Sequence, residues 1–185
     1  MKLKFFLLTI TSFLGIMPIM YSQTAKPKIL VAYFSYSGNT KILAKQIHKN
    51  TGGDIFEIQP VNAYPQKYDI VVSQAKKEIN SEFKPALKNK INNIEKYDII
   101  FIGSPCWWST IAPPVSTFLT DYDFSGKTII PFMTHEGSRM GHSEKDIKKL
   151  CPKATVLKGL PIRGGQVNQA NKDVVKWLKE IEIIQ

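Results

Sequence analysis

Apolar and polar positions alternate along this chain on two length scales, and the switch between them marks out its elements. Ile29 to Phe34 is an unbroken apolar run of strand length, and about Thr40 to Lys49 then takes up helical spacing, with Ile42, Leu43 and Ile47 on one side. Gly52 and Gly53 end that helix, and Ile55 to Ile58 reads as a short second strand. From Gln66 to Asn80 the apolar residues Tyr68, Val71, Val72 and Ala75 recur at helical spacing. Pro85 to Ile94 connects this segment to DIIFIG, Asp98 to Gly103, the clearest buried strand. Pro113 and Pro114 suit the first turn of a helix running to about Asp121. Thr128 to Met133 is the next strand, and Ser143, as an N-cap, opens a helix to Leu150. Thr155 to Leu157 forms the core of a last strand, and Val167 to Ile181 a closing helix. Strand followed by helix, five times over, predicts an α/β fold with a parallel sheet covered on both faces. In such a sheet ligands gather beyond the carboxyl ends of the strands, where the strand order reverses. The loops SYSGNT, SPCWWSTIAPP and THEGSRMGH are therefore expected to meet at one rim.

Composition narrows this picture. The 185 residues, 43% hydrophobic and 22% charged, suit one globular domain. The first 22 residues stand apart: Lys2 and Lys4 precede the apolar run Phe5 to Met20, followed by Ser22 and Gln23. This is the layout of a secretory signal peptide, giving residues 1–22 as the signal and 27–185 as the domain. The run is too short and too polar to span a bilayer, so the expected location is periplasmic or extracellular, with no membrane span after cleavage. Without Lys2 and Lys4, 23 basic residues face 15 acidic ones, about +8 by subtraction. The excess is spread lysine, with arginine only at positions 139 and 163, which argues against nucleic acid and for a solvated basic surface. Cys106 and Cys151 are expected at opposite edges of the sheet, too far apart to bridge, and so as two free thiols. Three scattered histidines supply no metal-ligand cluster.

The loops carry the chemistry. Ser35, Ser37 and Thr40 offer hydroxyls beside the expected start of a helix, whose free amides and dipole favour an anion, and Gly38 allows close approach. An ordinary N-cap is the competing reading. The stretch fits neither GxxxxGKS nor GxGxxG, so a monophosphate suits it better than a triphosphate or pyrophosphate. The adjacent Trp107 and Trp108 diverge, so at least one is expected beside solvent or a flat ligand. Thr134 to His142 offers amides and polar groups to the edge of a heterocycle, with His135, Glu136 and Arg139 as an alternative acid/base set.

The segments YFSYSGNTK, GSPCWWSTIAPPVSTFL, DFSGKTIIPFMTHEGSRMG and KLCPKATVLKGLPIRG closely resemble the flavodoxin-like proteins, in particular a short-chain branch with a WW loop, from about Lys28 onward. The resemblance implies a three-layer, doubly wound, five-stranded parallel sheet in the order 2-1-3-4-5 that binds flavin mononucleotide (FMN) noncovalently. It implies that Ser35, Tyr36, Ser37, Gly38, Asn39 and Thr40 form the phosphate loop. Pro105, Cys106, Trp107 and Trp108 would line the isoalloxazine, and Thr134, His135, Glu136 and Gly137 approach its polar edge. Cys106 stands where the family more often has an aliphatic residue, Arg139 where glycine is common, and the basic charge departs from the acidic surface of soluble flavodoxins. The expected activity is electron transfer through bound FMN to a redox partner protein or a small quinone-like acceptor. The alternatives are an NAD(P)H-dependent quinone or nitro-compound reductase, or a flavin-binding module without turnover.

Overall fold

The computed structural model of the protein describes residues 26–185; the signal segment read over residues 1–22 lies outside the described residues. The elements run in chain order as β1 (Ile29–Tyr33), α1 (Asn39–Thr51), β2 (Asp54–Glu57), α2 (Tyr68–Asn80), β3 (Ile99–Trp107) and β4 (Thr110–Ile111). There follow α3 (Pro113–Asp121), β5 (Thr128–His135), α4 (Ser143–Leu150), β6 (Thr155–Val156), β7 (Leu160–Arg163) and α5 (Asn171–Glu180). The sheet order is β2-β1-β3-β5-β6, with β7 also on β5, and every pairing is parallel except that of the short β4 with β3. Counting β5 as the fourth main strand and β6 with β7 as the fifth, this is the expected 2-1-3-4-5 order.

Successive strand residues point to opposite faces, so each central strand feeds two cores. Leu30, Ala32, Ile100, Ile102, Ile129 and Met133 join α2, α3 and α4 through Val71, Val115, Phe118 and Ile147. Val31, Tyr33, Phe101, Ile130 and Phe132 join α1 and α5 through Leu43, Ile47, Val174 and Leu178. This is why the central strands read as continuous apolar runs.

Five sequence expectations are corrected. The strand expected to stop at Gly103 continues to Trp107, because β4 folds back to pair Cys106 with Ile111 and Trp107 with Thr110. The strand expected to stop at Met133 reaches His135, since β7 pairs alongside it. The last strand is broken in two: Ile130 and Pro131 face three residues, Leu157 to Gly159, on the edge, and Pro131 has no amide N–H to donate. The closing helix begins as a 3-10 turn at Gly164–Gln169, and α5 starts only at Asn171. Ser143 is the first helical residue of α4 rather than its cap; His142 caps, and the buried Ser143 hydroxyl has no partner.

Candidate functional site

The carboxyl ends of β1, β3 and β5 open into a cleft of about 560 Å3. One end is formed by the turn from β1 into α1. Gly38 takes a φ of 91°, a left-handed conformation that suits glycine, and its carbonyl accepts the Ile42 amide at 3.1 Å. The Lys41 amide donates to Ser35 Oγ at 3.2 Å. The Thr40 and Thr134 hydroxyls bond to each other at 2.8 Å, tying α1 to the end of β5. The first turn of α1 contains no acidic residue, so its positive end is left to whatever enters the cleft.

The middle wall is the β3–β4 hairpin. Trp107 packs edge-on against Phe34, Tyr36 and Tyr64, with ring centroids 5.7, 5.8 and 4.9 Å away. Tyr36 donates its phenol to the Pro65 carbonyl at 2.7 Å, and Tyr64 donates to Glu78 at 2.6 Å, so the two tyrosine rings beside Trp107 are fixed by their polar ends. Burial, reinforced by the Glu78 carboxylate, raises the Tyr64 phenol well above its ordinary pKa. The hairpin turns through Trp108 and Ser109, both at positive φ, which directs Trp108 outward, 48% exposed. Its indole N–H donates to the Val72 carbonyl at 3.1 Å and Lys76 lies over its ring at 4.6 Å, so the turn is clasped onto α2. Ser104 Oγ bonds the Pro105 carbonyl at 2.8 Å and receives the Ala112 amide at 2.9 Å, closing the hairpin from inside.

The far wall is the loop after β5. Ser138 Oγ donates to Cys106 Sγ at 3.2 Å, and burial pushes the Cys106 thiol above its ordinary pKa. His135 has a buried Nδ1 with no partner. Burial first, then the charges of Arg139 and Arg163, hold its pKa below the usual histidine value. The ring is therefore neutral at pH 7. Opposite, Gly164 leaves room that a Cβ would take from Glu136 and Asn39.

Of the residues read from the sequence, Tyr36, Ser37, Asn39, Pro105 to Trp108 and Thr134 to Gly137 line this cleft together. Ser35, Gly38 and Thr40 sit in the same turn but do not line the cleft; Thr40 is only 1% exposed, while Ser35 and Gly38 are half-buried. Arg139 opens onto a different cleft. Sequence reasoning missed Tyr68, Val71, Val72 and Ala75 of α2, together with Ser109, Ser138 and Gly164, as lining. The signal was present in the apolar stripe of α2: Val71 and Ala75 are buried as a stripe predicts, but Tyr68 at its start is 73% exposed over the cleft mouth.

The same fold recurs in proteins of known structure. A Bacteroides eggerthii protein classed as a flavoprotein is 33% identical over 86% of this chain and 99% of its own, with a TM-score of 0.76. Its Bacteroides uniformis counterpart is also 33% identical, over 84% and 99%, with a TM-score of 0.75. A Lactobacillus acidophilus flavoprotein solved in complex with FMN shares the fold at 23% identity over 77% and 97%, with a TM-score of 0.63. No curated protein matches the chain. The flavodoxin family model matches residues 28–181; with this topology and this cleft, the chain belongs to the flavodoxin family.

Proposed function

We propose that this protein binds FMN noncovalently in the cleft and serves in electron transfer. One observation carries the reading: a hydroxyl- and amide-rich helix start, an aromatic wall and a polar loop line the same cleft, in the order needed for the phosphate, ring and polar edge of a flavin nucleotide. Its volume lies within the ~300–1,000 Å3 of typical small-molecule sites. Ser37, Asn39 and the amides leading into α1 would hold the phosphate, with no carboxylate in the first helical turn to oppose it. Pro105, Cys106 and Trp107 would flank the ring, and Thr134 to Gly137 its polar edge. FMN supplies one- and two-electron chemistry when bound, and the protein sets its potential and access.

The residues of this chain act by shaping that environment. Trp107, held by three aromatic neighbours, presents a fixed apolar wall and keeps water from that side. Neutral His135 offers a hydrogen-bonding nitrogen where a charged ring would add a cation. The exposed Trp108 and Tyr68 leave the mouth open to a partner protein or a small quinone-like acceptor. The basic and then apolar pattern of residues 1–22 supports a role outside the cytoplasm, which fractionation of the native host checks.

The decisive experiment is titration of the purified protein with FMN, followed by its visible spectrum and by quenching of tryptophan emission. Stoichiometric uptake with strong quenching is expected, and absence of uptake overturns the proposal. Anaerobic mixing with NADPH then separates two activities: bleaching without any protein donor assigns a reductase, and bleaching only with a protein donor assigns a carrier.

A further inference from the structure

Both arginines of the chain, Arg139 and Arg163, line a second cleft of about 490 Å3 on the other side of His135. His135 belongs to both clefts, and Arg163 is followed directly by Gly164, which lines the first. The floor is apolar, built from Leu160, Pro161 and Ile162 of β7 and the buried Trp177 of α5. Four cations, Arg139, Lys158, Arg163 and Lys176, stand against two carboxylates, Asp173 and Glu180. Glu180 lies 3.7 Å from Lys158 and 3.9 Å from Lys176, so the lysines already have a partner. Neither arginine takes part in an ion pair among the described residues. Their fork-shaped donors match carboxylate, phosphate and sulfonate oxygens. Both also act electrostatically on His135, which places them near the shared wall.

We propose that this second cleft holds the anionic group of a small redox partner, whose conjugated part reaches past His135 to the first cleft. The inference rests on the flavin reading above. An apolar floor under unpaired arginines suits a planar molecule carrying one anionic substituent, such as a sulfonated or carboxylated quinone. The lysine–glutamate contacts set the outer edge of the site and leave the arginine end free.

Two measurements test it. In the first, the full chain without flavin is titrated with inorganic phosphate while the arginine Nε–H signals are followed by NMR. Saturable shifts of both arginines, lost in R139Q/R163Q, are expected; shifts that only track ionic strength overturn the anion site. In the second, FMN-loaded protein reduced with dithionite is mixed with 1,2-naphthoquinone or its 4-sulfonate. Each quinone takes two electrons from the reduced flavin and ends, with two protons, as the hydroquinone. Comparing wild type with variant at each quinone cancels the difference in their potentials. R139Q/R163Q is expected to slow the sulfonate by about tenfold per arginine, as charge-assisted hydrogen bonds imply, and the neutral quinone by less than about twofold. Equal slowing of both quinones, or of neither, overturns the redox-partner assignment, as does phosphate binding without any sulfonate preference. Failure to take up FMN removes the redox half alone, and the phosphate titration then decides the anion site independently.

Discussion

The Thr40–Thr134 hydrogen bond makes a quantitative test of how the cleft is held together. The two threonines are 1% and 5% exposed, and their hydroxyls are each other's partner at 2.8 Å. Thr40→Val removes one and leaves the other buried without a partner, at a cost of about 1–3 kcal/mol. For a domain of this size that corresponds to a melting point lower by about 2–12 °C. Thr134→Val has the same consequence from the other side. In the double variant two methyl groups of the same shape face each other and no polar group is stranded, which is nearly neutral. The two losses should therefore not add: a double-mutant cycle is expected to show coupling as large as the two single losses together, about 2–6 kcal/mol. Urea unfolding of the three variants and the wild type, without flavin, measures it, with the slope m unchanged. Additive losses would show that the hydroxyls do not depend on each other, and the tie between α1 and β5 would have to be abandoned.

Gly141→Ala places a methyl group against the Ser109 backbone at a φ of +53°; the melting point should fall and Trp108 emission shift, whereas an unchanged spectrum refutes the packing of this loop on the hairpin. Burial raises both thiols, Cys151 to about 11, so at pH 8 both should react with iodoacetamide more slowly than a free thiol. Cys106, which lines the cleft, should react before the buried Cys151 and be protected by FMN, and mass spectrometry that found Cys151 protected instead would contradict the site. Hydrogen bonds from Tyr97 and then Lys96 hold Asp54 below its ordinary pKa. Its contribution to stability is present above the unfolded value near 4 and lost as pH falls through the lower folded one. The stability gap between wild type and Asp54→Asn should accordingly narrow on acidification, and a gap constant from pH 7 to pH 2 rules this out.

Those parts of the fold governed by local pattern were legible in the sequence. Ile29 to Tyr33 and Ile99 to Gly103 are buried on both faces, so an apolar run of strand length sufficed to find them. The ends were not legible, because they depend on partners distant in the chain. Nothing local tells that Ser104 to Trp107 continue a strand; that follows from β4 pairing back and from β5 lying alongside as far as Thr134. The break in the edge strand likewise follows from Pro131 in its neighbour. At the site, turn chemistry identified the residues at the ends of three strands. The contribution of α2 stayed hidden, since a stripe that buries Val71 and Ala75 looks the same whether its outer end meets core or ligand.

The continuation of β3 into the cleft also bears on how anything enters it. Residues 104–107 hydrogen-bond within the ladder rather than to solvent, and so inherit the protection of the central sheet. The opposite wall, Glu136 to Arg139, is exposed and lies outside regular strand and helix. Amide hydrogen exchange should thus divide the cleft into a slow wall and a fast one, on timescales set by global unfolding and by local opening. Admission of a ligand is then the work of the fast wall, while the tryptophan-bearing wall keeps its shape throughout.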